Sequence, residues 1–245
     1  MKKSLFITLL VLAVAAPVRA QVGIEFGSAI ATRYIWRGFD LSGVAGKTVP
    51  AFQPTATVDF GQFSVNWWGS VNLAERDNEP IGSSNFDEFD IAIGTSRTLV
   101  EGLSVDFGMI YYTFPQFQSG GNKSVEWYMG FSTDKVSFEP SVTFYYDTDL
   151  ANGLYYAFAG SQPIITAPKF PVNLDFSLGA GYSYFVDGAA LHDINFGLST
   201  SWGNDHVSFS PSVTYTLTPS NKIQDFNGDD DDGELWGLFS LDFAF

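Results

Sequence analysis

From residue 23 onward, apolar and polar side chains alternate with a period of two, the pattern of strands with one apolar and one polar face. Phe52, Pro54, Ala56, Val58 and Phe60 oppose Gln53, Thr55, Thr57 and Asp59. Val207, Phe209, Pro211, Val213, Tyr215 and Leu217 oppose Ser208, Ser210, Ser212, Thr214 and Thr216. Twelve segments follow this rule, at roughly 23–36, 52–60, 63–72, 86–97, 103–113, 124–132, 136–146, 154–162, 172–184, 191–202, 207–217 and 234–245. Most are as long as the tilted strands that cross a membrane, about 9–11 residues, whereas globular strands usually hold about 5–6. The even count predicts an all-β fold, a transmembrane antiparallel up-and-down β-barrel of about 12 strands. A soluble β-sandwich accounts for the alternation but not for the strand length.

The connections alternate too. They are short at Gly61-Gln62, Leu99 to Gly102, Thr133 to Lys135 and Gly203 to His206. They are long at Arg37 to Ala51, Leu73 to Asn85, Phe114 to Lys123 and Thr218 to Gly233. Short periplasmic turns and long extracellular loops give this rhythm, which Pro163 to Pro171 breaks with a long link where a short turn is due. Tyr34, Tyr111, Tyr146, Tyr182 and Tyr215 fall near the loop ends of their segments with outward parity, as an interfacial aromatic girdle would. The chain ends Phe239, Leu241, Phe243, Phe245, a terminus that resembles the signal read by the barrel assembly machinery.

A hairpin is duplicated, since Val136-Ser-Phe-Glu-Pro-Ser-Val-Thr-Phe returns as Val207-Ser-Phe-Ser-Pro-Ser-Val-Thr-Tyr. Proline removes a ladder hydrogen bond, so bulges are expected at Pro140 and Pro211, at matching heights, and at Pro54.

Met1-Lys2-Lys3, the apolar run Ser4 to Ala16 and Val18-Arg19-Ala20 read as a signal peptide, cleaved near Ala20 to leave one domain, 21–245. Without Lys2, Lys3 and Arg19 the balance is 9 basic to 27 acidic side chains, which excludes a phosphate-binding surface for nucleic acid. No cysteine is present for a disulfide, a thiolate metal site or a nucleophile. The expected surroundings are outer-membrane lipid and lipopolysaccharide of a Gram-negative bacterium, with small solutes as passengers.

Inward parity is dominated by small polar residues, among them Ser137, Ser141, Thr143, Ser177, Asn195, Ser199 and Ser201, which predicts a wet lumen. The acids of that parity are Glu25, Asp59, Glu88, Asp90, Asp106, Glu126, Glu139, Asp175, Asp193, Glu234 and Asp242, against Arg33 alone. A low-dielectric wall lined with one sign concentrates counter-ions, so Arg33, Asp90, Asp106, Glu126, Glu139 and Asp175 are the selectivity candidates. Inward Trp68, Tyr112, Tyr128, Tyr145 and Tyr155 would narrow the passage. Glu79 to Gly82 and Pro219 to Ile223 lie in loops long enough to fold inward.

Asp225, Asn227, Asp229 and Asp231 alternate like the first half of a calcium loop, but the position of its bidentate Glu holds Trp236. No cofactor is expected beyond weak Ca²⁺ or Mg²⁺ at that acidic loop. Catalysis is not expected. His192-Asp193-Ile194 lacks the His-x-Ser of outer-membrane lipid hydrolases, the Asp-x-His of outer-membrane aspartyl proteases is missing, and His192 reads as a surface residue at the lip of its strand.

Thr32-Arg33-Tyr34-Ile35-Trp36-Arg37-Gly38, with Gln53-Pro54 and Trp68-Gly69-Ser70, resembles the Gcw_chp or TorF-like family of outer-membrane proteins of unknown function, which open with Tyr-x-x-Arg-Gly. The usual polar residues after Arg-Gly are replaced by Phe39-Asp40-Leu41-Ser42. The resemblance implies an outer-membrane barrel and no substrate, with Arg37 at the rim beside loop acids. Taken together, the sequence points to a channel for small polar, neutral or cationic solutes. The alternative is a non-transporting barrel that acts structurally or through its surface loops.

Overall fold

The structure, a computed structural model, describes residues 22–41, 49–73, 86–115, 123–167, 170–183, 188–227 and 232–245. The expected signal peptide, Glu79 to Gly82, Asp229, Asp231 and the side chain of Tyr182 lie outside the described residues. The elements are β1(Gly23–Ala31), β2(Ile35–Trp36), β3(Phe39–Asp40), β4(Ala51–Asp59), β5(Ser64–Asn72), β6(Phe86–Val100), β7(Leu103–Thr113) and β8(Lys123–Thr133). They continue as β9(Ser141–Asp147), β10(Gly153–Ala167), β11(Phe170–Ser183), β12(Gly188–Ser199), β13(Trp202–Gly203), β14(Val207–Leu217), helix α1(Asn221–Asn227) and β15(Gly233–Ala244).

Twelve of the strands form a closed antiparallel barrel in which each pairs with its sequence neighbour in the wall. Closure comes from β1 on β15, with Glu25 opposite Ala244 and Ala31 opposite Leu238. Burial is inverted relative to a soluble domain. Phe26, Ile93, Trp127, Met129, Phe144, Phe158, Phe196 and Phe239 are exposed, whereas Ser70, Glu88, Ser124, Glu126, Asp193 and Thr216 are buried. An apolar outside and a polar inside are what a lipid-facing barrel requires. Tyr146 and Tyr215 take the expected outward places.

Several expectations need correction. The first wall strand ends at Ala31, and residues 32–41 turn into the barrel instead of continuing to 36. The long link at 163–171 is absorbed by β10 and β11, which extend to Ala167 and Phe170 across a register shift between Pro163 and Ile165. Ala167 pairs with Phe170, so only two residues separate the strands there, as the rhythm requires. At Pro140 the strand gives way altogether. Phe138 and Glu139 take φ of 76° and 37°, and β9 starts only at Ser141. Phe138 N–H donates to Gln162 Oε1 at 2.9 Å, and its carbonyl accepts from Ser161 N at 2.9 Å, so the displaced backbone is satisfied by β10.

Pro211, by contrast, lies in an unshifted β14, in register with β15 from Val207–Phe243 to Leu217–Gly233. Its missing N–H interrupts only the ladder to the other neighbour, between β12 and β13, where Thr200 N still donates to the Pro211 carbonyl at 3.2 Å. Pro54 behaves likewise, with the β4–β5 register the same on either side. The duplicated prolines therefore share sequence but not geometry, and neither Pro211 nor Pro54 forms a bulge.

Candidate functional site

The segment that leaves the wall after Ala31 forms a hairpin of β2 and β3, with Ile35 opposite Asp40 and Trp36 opposite Phe39. Its two central residues are Arg37 and Gly38, with φ of 52° and 83°. Two successive positive φ values are those of a type I′ turn, which usually holds Asn-Gly. Gly38 is required twice over, because a Cβ there would also lie 2.7 Å from the His192 carbonyl oxygen. Arg37 carries left-handed strain of roughly 1–2 kcal/mol, which its side-chain contacts must offset.

Those contacts reach across the lumen. Arg37 donates from Nη1 to Glu126 Oε2 at 2.7 Å and from Nη2 to Oε1 at 2.8 Å. Its guanidinium lies 4.5 Å from the ring centre of Tyr145, 4.2 Å from that of Tyr155 and 4.4 Å from that of Trp36. Tyr112 Oη donates to Glu126 Oε1 at 2.9 Å. Burial alone would ease the proton off Arg37, but the Glu126 carboxylate more than reverses this and holds the cation. Elsewhere on the hairpin, Tyr34 Oη donates to Glu88 Oε2 at 2.8 Å. Burial, with Glu88 beside it, pushes the Tyr34 phenol well up, so it stays a donor. Arg33 pairs with Glu234 and lies 3.8 Å from Asp40 Oδ2.

The hairpin is capped from the loop side. Ile223 of α1 is fully buried against Phe39, and Phe226 meets Phe39 edge-on at 5.1 Å. Asn227 Nδ2 donates to the Gly38 carbonyl at 2.9 Å, and its Oδ1 accepts from Asp40 N at 2.9 Å. The expected inward reach of Pro219 to Ile223 thus takes the form of a helix seated on the hairpin. Asn227, a candidate metal ligand, is a clip between two loops, and Asp225 is exposed. Among the described residues no three metal-ligating side chains converge.

The eleven inward acids separate by height. At the loop end, Glu88, Glu126 and Glu234 answer Tyr34, Arg37 and Arg33. Asp193 accepts from Tyr155 Oη at 2.8 Å and from Asn195 at 2.7 Å. Asp90 keeps one buried carboxylate oxygen without a hydrogen-bond partner. At the turn end, Asp175 accepts only from Ser161, at 2.7 Å, and neither it nor Asp106 meets a base at ion-pair distance among the described residues. A cavity of about 500 Å³ opens below the hairpin, lined by Arg37, Glu139, Ser141, Asp175, Asn195 and Trp236 among others. Glu139 reaches it from the irregular segment before β9, not from a strand.

Three placements differ from the sequence reading. Tyr34 faces the lumen and not the lipid, since the wall strand has already ended. Arg37 is a buried partner of a wall acid, its side chain 12% exposed and that of Glu126 1%. His192 is 3% exposed, drawn inward where a register shift at Gly179/Ala180 sets it and Asp193 side by side. It meets Tyr155 and Phe39 edge-on at 5.4 and 5.9 Å. Asp147 was missed because it ends its strand. It accepts from Ser124 Oγ at 2.6 Å and from three backbone N–H groups of the next turn, 149, 151 and 152. The short spacing Asp147-x-Asp149 before Asn152-Gly153 was the available signal. Gly179 leaves the space that the Tyr155 phenol occupies, a pairing no local pattern reveals.

Residues 15–216 match the family described as "Bacterial protein of unknown function (Gcw_chp)". Curated protein sequences offer no match. Among solved structures, the chain is similar to "KdgM porin in complex with disordered oligogalacturonate", at 9% identity and a TM-score of 0.51, over 91% of this chain and 99% of that one. It is also similar to the "COG4313 outer membrane channel from Pseudomonas putida F1", at 7% identity and a TM-score of 0.50, over 94% and 97%. LpxR from Salmonella typhimurium aligns at 9% identity and a TM-score of 0.49, over 90% and 100%. At such identities the likeness is one of fold, that of outer-membrane β-barrels.

Proposed function

This chain belongs to the Gcw_chp family of bacterial proteins of unknown function, and we propose that it is an outer-membrane channel for passive diffusion of small polar, neutral or cationic solutes. The observation that carries this reading is the cavity of about 500 Å³ below the hairpin, where hydroxyl, amide and carboxylate groups stand among apolar side chains such as Ile35, Ala159 and Phe176. Asp106, Asp175 and Glu139 give the turn half of the lumen a negative field in a low-dielectric wall, which concentrates cations and repels anions. The similar porin is named with an oligogalacturonate, a polyanion, and an acidic lumen argues that this chain passes something else.

The test is conductance of the refolded barrel in a planar bilayer, with the reversal potential under a KCl gradient. Steady openings with a K⁺-selective reversal potential are expected. Anion selectivity would defeat the acidic-lumen reading. The hairpin and α1 favour a second reading, a barrel stoppered at its loop end that works structurally or through its surface. A silent, folded wild type that conducts after removal of residues 35–40 would support it.

A further inference from the structure

The barrel wall carries a cation site that the chain fills with its own arginine. Its parts sit on four neighbouring strands: Tyr112 on β7, Glu126 on β8, Tyr145 on β9 and Tyr155 on β10. Glu126 meets the guanidinium with two N–H···O bonds, of 2.7 and 2.8 Å, while the rings of Tyr145 and Tyr155, themselves 6.0 Å apart, flank it at 4.5 and 4.2 Å. Tyr112 fixes the carboxylate from the other side at 2.9 Å.

A two-pronged carboxylate contact beside aromatic rings selects a guanidinium, because an ammonium offers a point charge with no planar fork to match it. The wall has a standing need for that cation. With its side chain 1% exposed, Glu126 would otherwise be a buried carboxylate held by a single phenol, a costly state. A void of about 20 Å³, room for roughly one water, adjoins the site between Trp36 and Asp147. His192 lines it as well.

We propose that Tyr112, Glu126, Tyr145 and Tyr155 form a recognition site for guanidinium-bearing solutes, kept occupied by Arg37 as an internal stand-in when the hairpin is seated. This deepens the channel reading, on which access from solution rests, whereas the site itself stands on the geometry of the wall. A tethered group competes at an effective concentration of the order of millimolar. Free solute therefore binds weakly to the intact barrel and strongly once Arg37 is removed.

The experiment uses Arg37→Gly, since glycine suits the left-handed turn and removes the cation without adding strain. Thermal unfolding of the refolded variant in detergent is followed with low-millimolar ethylguanidinium chloride, and with ethylammonium chloride as the control. A saturable rise in unfolding temperature with ethylguanidinium, much smaller with ethylammonium and absent in Arg37→Gly/Glu126→Gln, is expected. No rise, an equal rise with both salts, or a rise that survives in the double variant would overturn the proposal. If Arg37→Gly fails to refold alone, recovery of the folded barrel by ethylguanidinium supports the site and failure to recover overturns it. The same variant is recorded in a bilayer, so the two readings separate. A silent barrel with a saturable rise defeats the channel and keeps the site, and a conducting barrel with no rise defeats the site alone.

Discussion

The loop half and the turn half of the lumen use the same acidic residue types for different ends. At the loop end three of the acids are buried and answered singly, Glu88 by Tyr34, Glu126 by Arg37 and Glu234 by Arg33. Each answer comes from residues 33–37, so charge there is used as adhesive for the hairpin. At the turn end, Asp175 lines open volume, and among the described residues neither it nor Asp106 has a base at ion-pair distance, which on the channel reading leaves their charge to act on passing ions. A like count of carboxylates along the strands thus conceals a division between holding and attracting. Height in the barrel decides which role an acid takes.

The largest test of that division is Glu126→Ala. It strands the Arg37 cation, 12% exposed, among Tyr145, Tyr155 and His192. Breaking one partner out of a buried pair costs about 3–5 kcal/mol. The matching change at the turn end, Asp175→Ala, removes a solvated carboxylate and should cost under about 1 kcal/mol. Urea unfolding of both variants in the same lipid checks this, and equal losses would erase the distinction.

Next in size is Gly38→Val. The β-branched side chain must take a φ near 83° and push its Cβ into the His192 carbonyl. A loss of about 1–3 kcal/mol is expected. The hairpin should also loosen, so conductance should rise with no change in the sign of selectivity. Smaller again is Phe226→Ala, which removes an edge-on ring contact with Phe39 worth about 0.5–1.5 kcal/mol. It acts from outside the barrel on the cap alone, and its signature is a higher open probability with near-normal urea resistance. An unchanged open probability would mean that α1 rests on the hairpin without restraining it.

How much of this was legible follows from the range of the forces involved. Wall strands are written locally, because alternation of Phe26 to Ile30 or Val207 to Leu217 needs only the period of a strand. The proline positions were legible as trouble but not as outcome, since whether Pro140 breaks a strand or Pro211 merely interrupts one ladder depends on the neighbour that takes up the freed groups. The hairpin was hidden because Ile35-Trp36 continues the alternation of β1. Only the turn chemistry of Arg37-Gly38 betrays it, and an arginine is an unusual occupant of a left-handed position. His192 was misplaced because a register shift cannot be read from one strand. What Glu126 does was out of reach altogether, since its partner lies 89 residues away in sequence.

The smallest effect on stability should be the most informative about passage. Asp175→Asn with Glu139→Gln leaves the cavity wall isosteric and touches no ion pair among the described residues, so urea resistance should stay within about 0.5 kcal/mol of the parent. Its effect is on ions in transit. A unit charge some 8 Å from the path in water is worth about 0.5 kcal/mol by Coulomb's law, or roughly a two-fold change in local cation concentration. Two such charges removed should lower the local cation concentration about four-fold and raise that of anions as much, so the cation-to-anion permeability ratio should fall by about an order of magnitude at low salt, and by less as screening closes to about 10 Å at 0.1 M. Arg37→Gly/Glu126→Gln should move that ratio much less, because it removes two charges that already cancel each other at 2.7 Å. If instead the double variant shifts the reversal potential as far as the turn-end pair does, Glu126 is not a holding charge in the working channel. The hairpin must then be withdrawn while the barrel conducts.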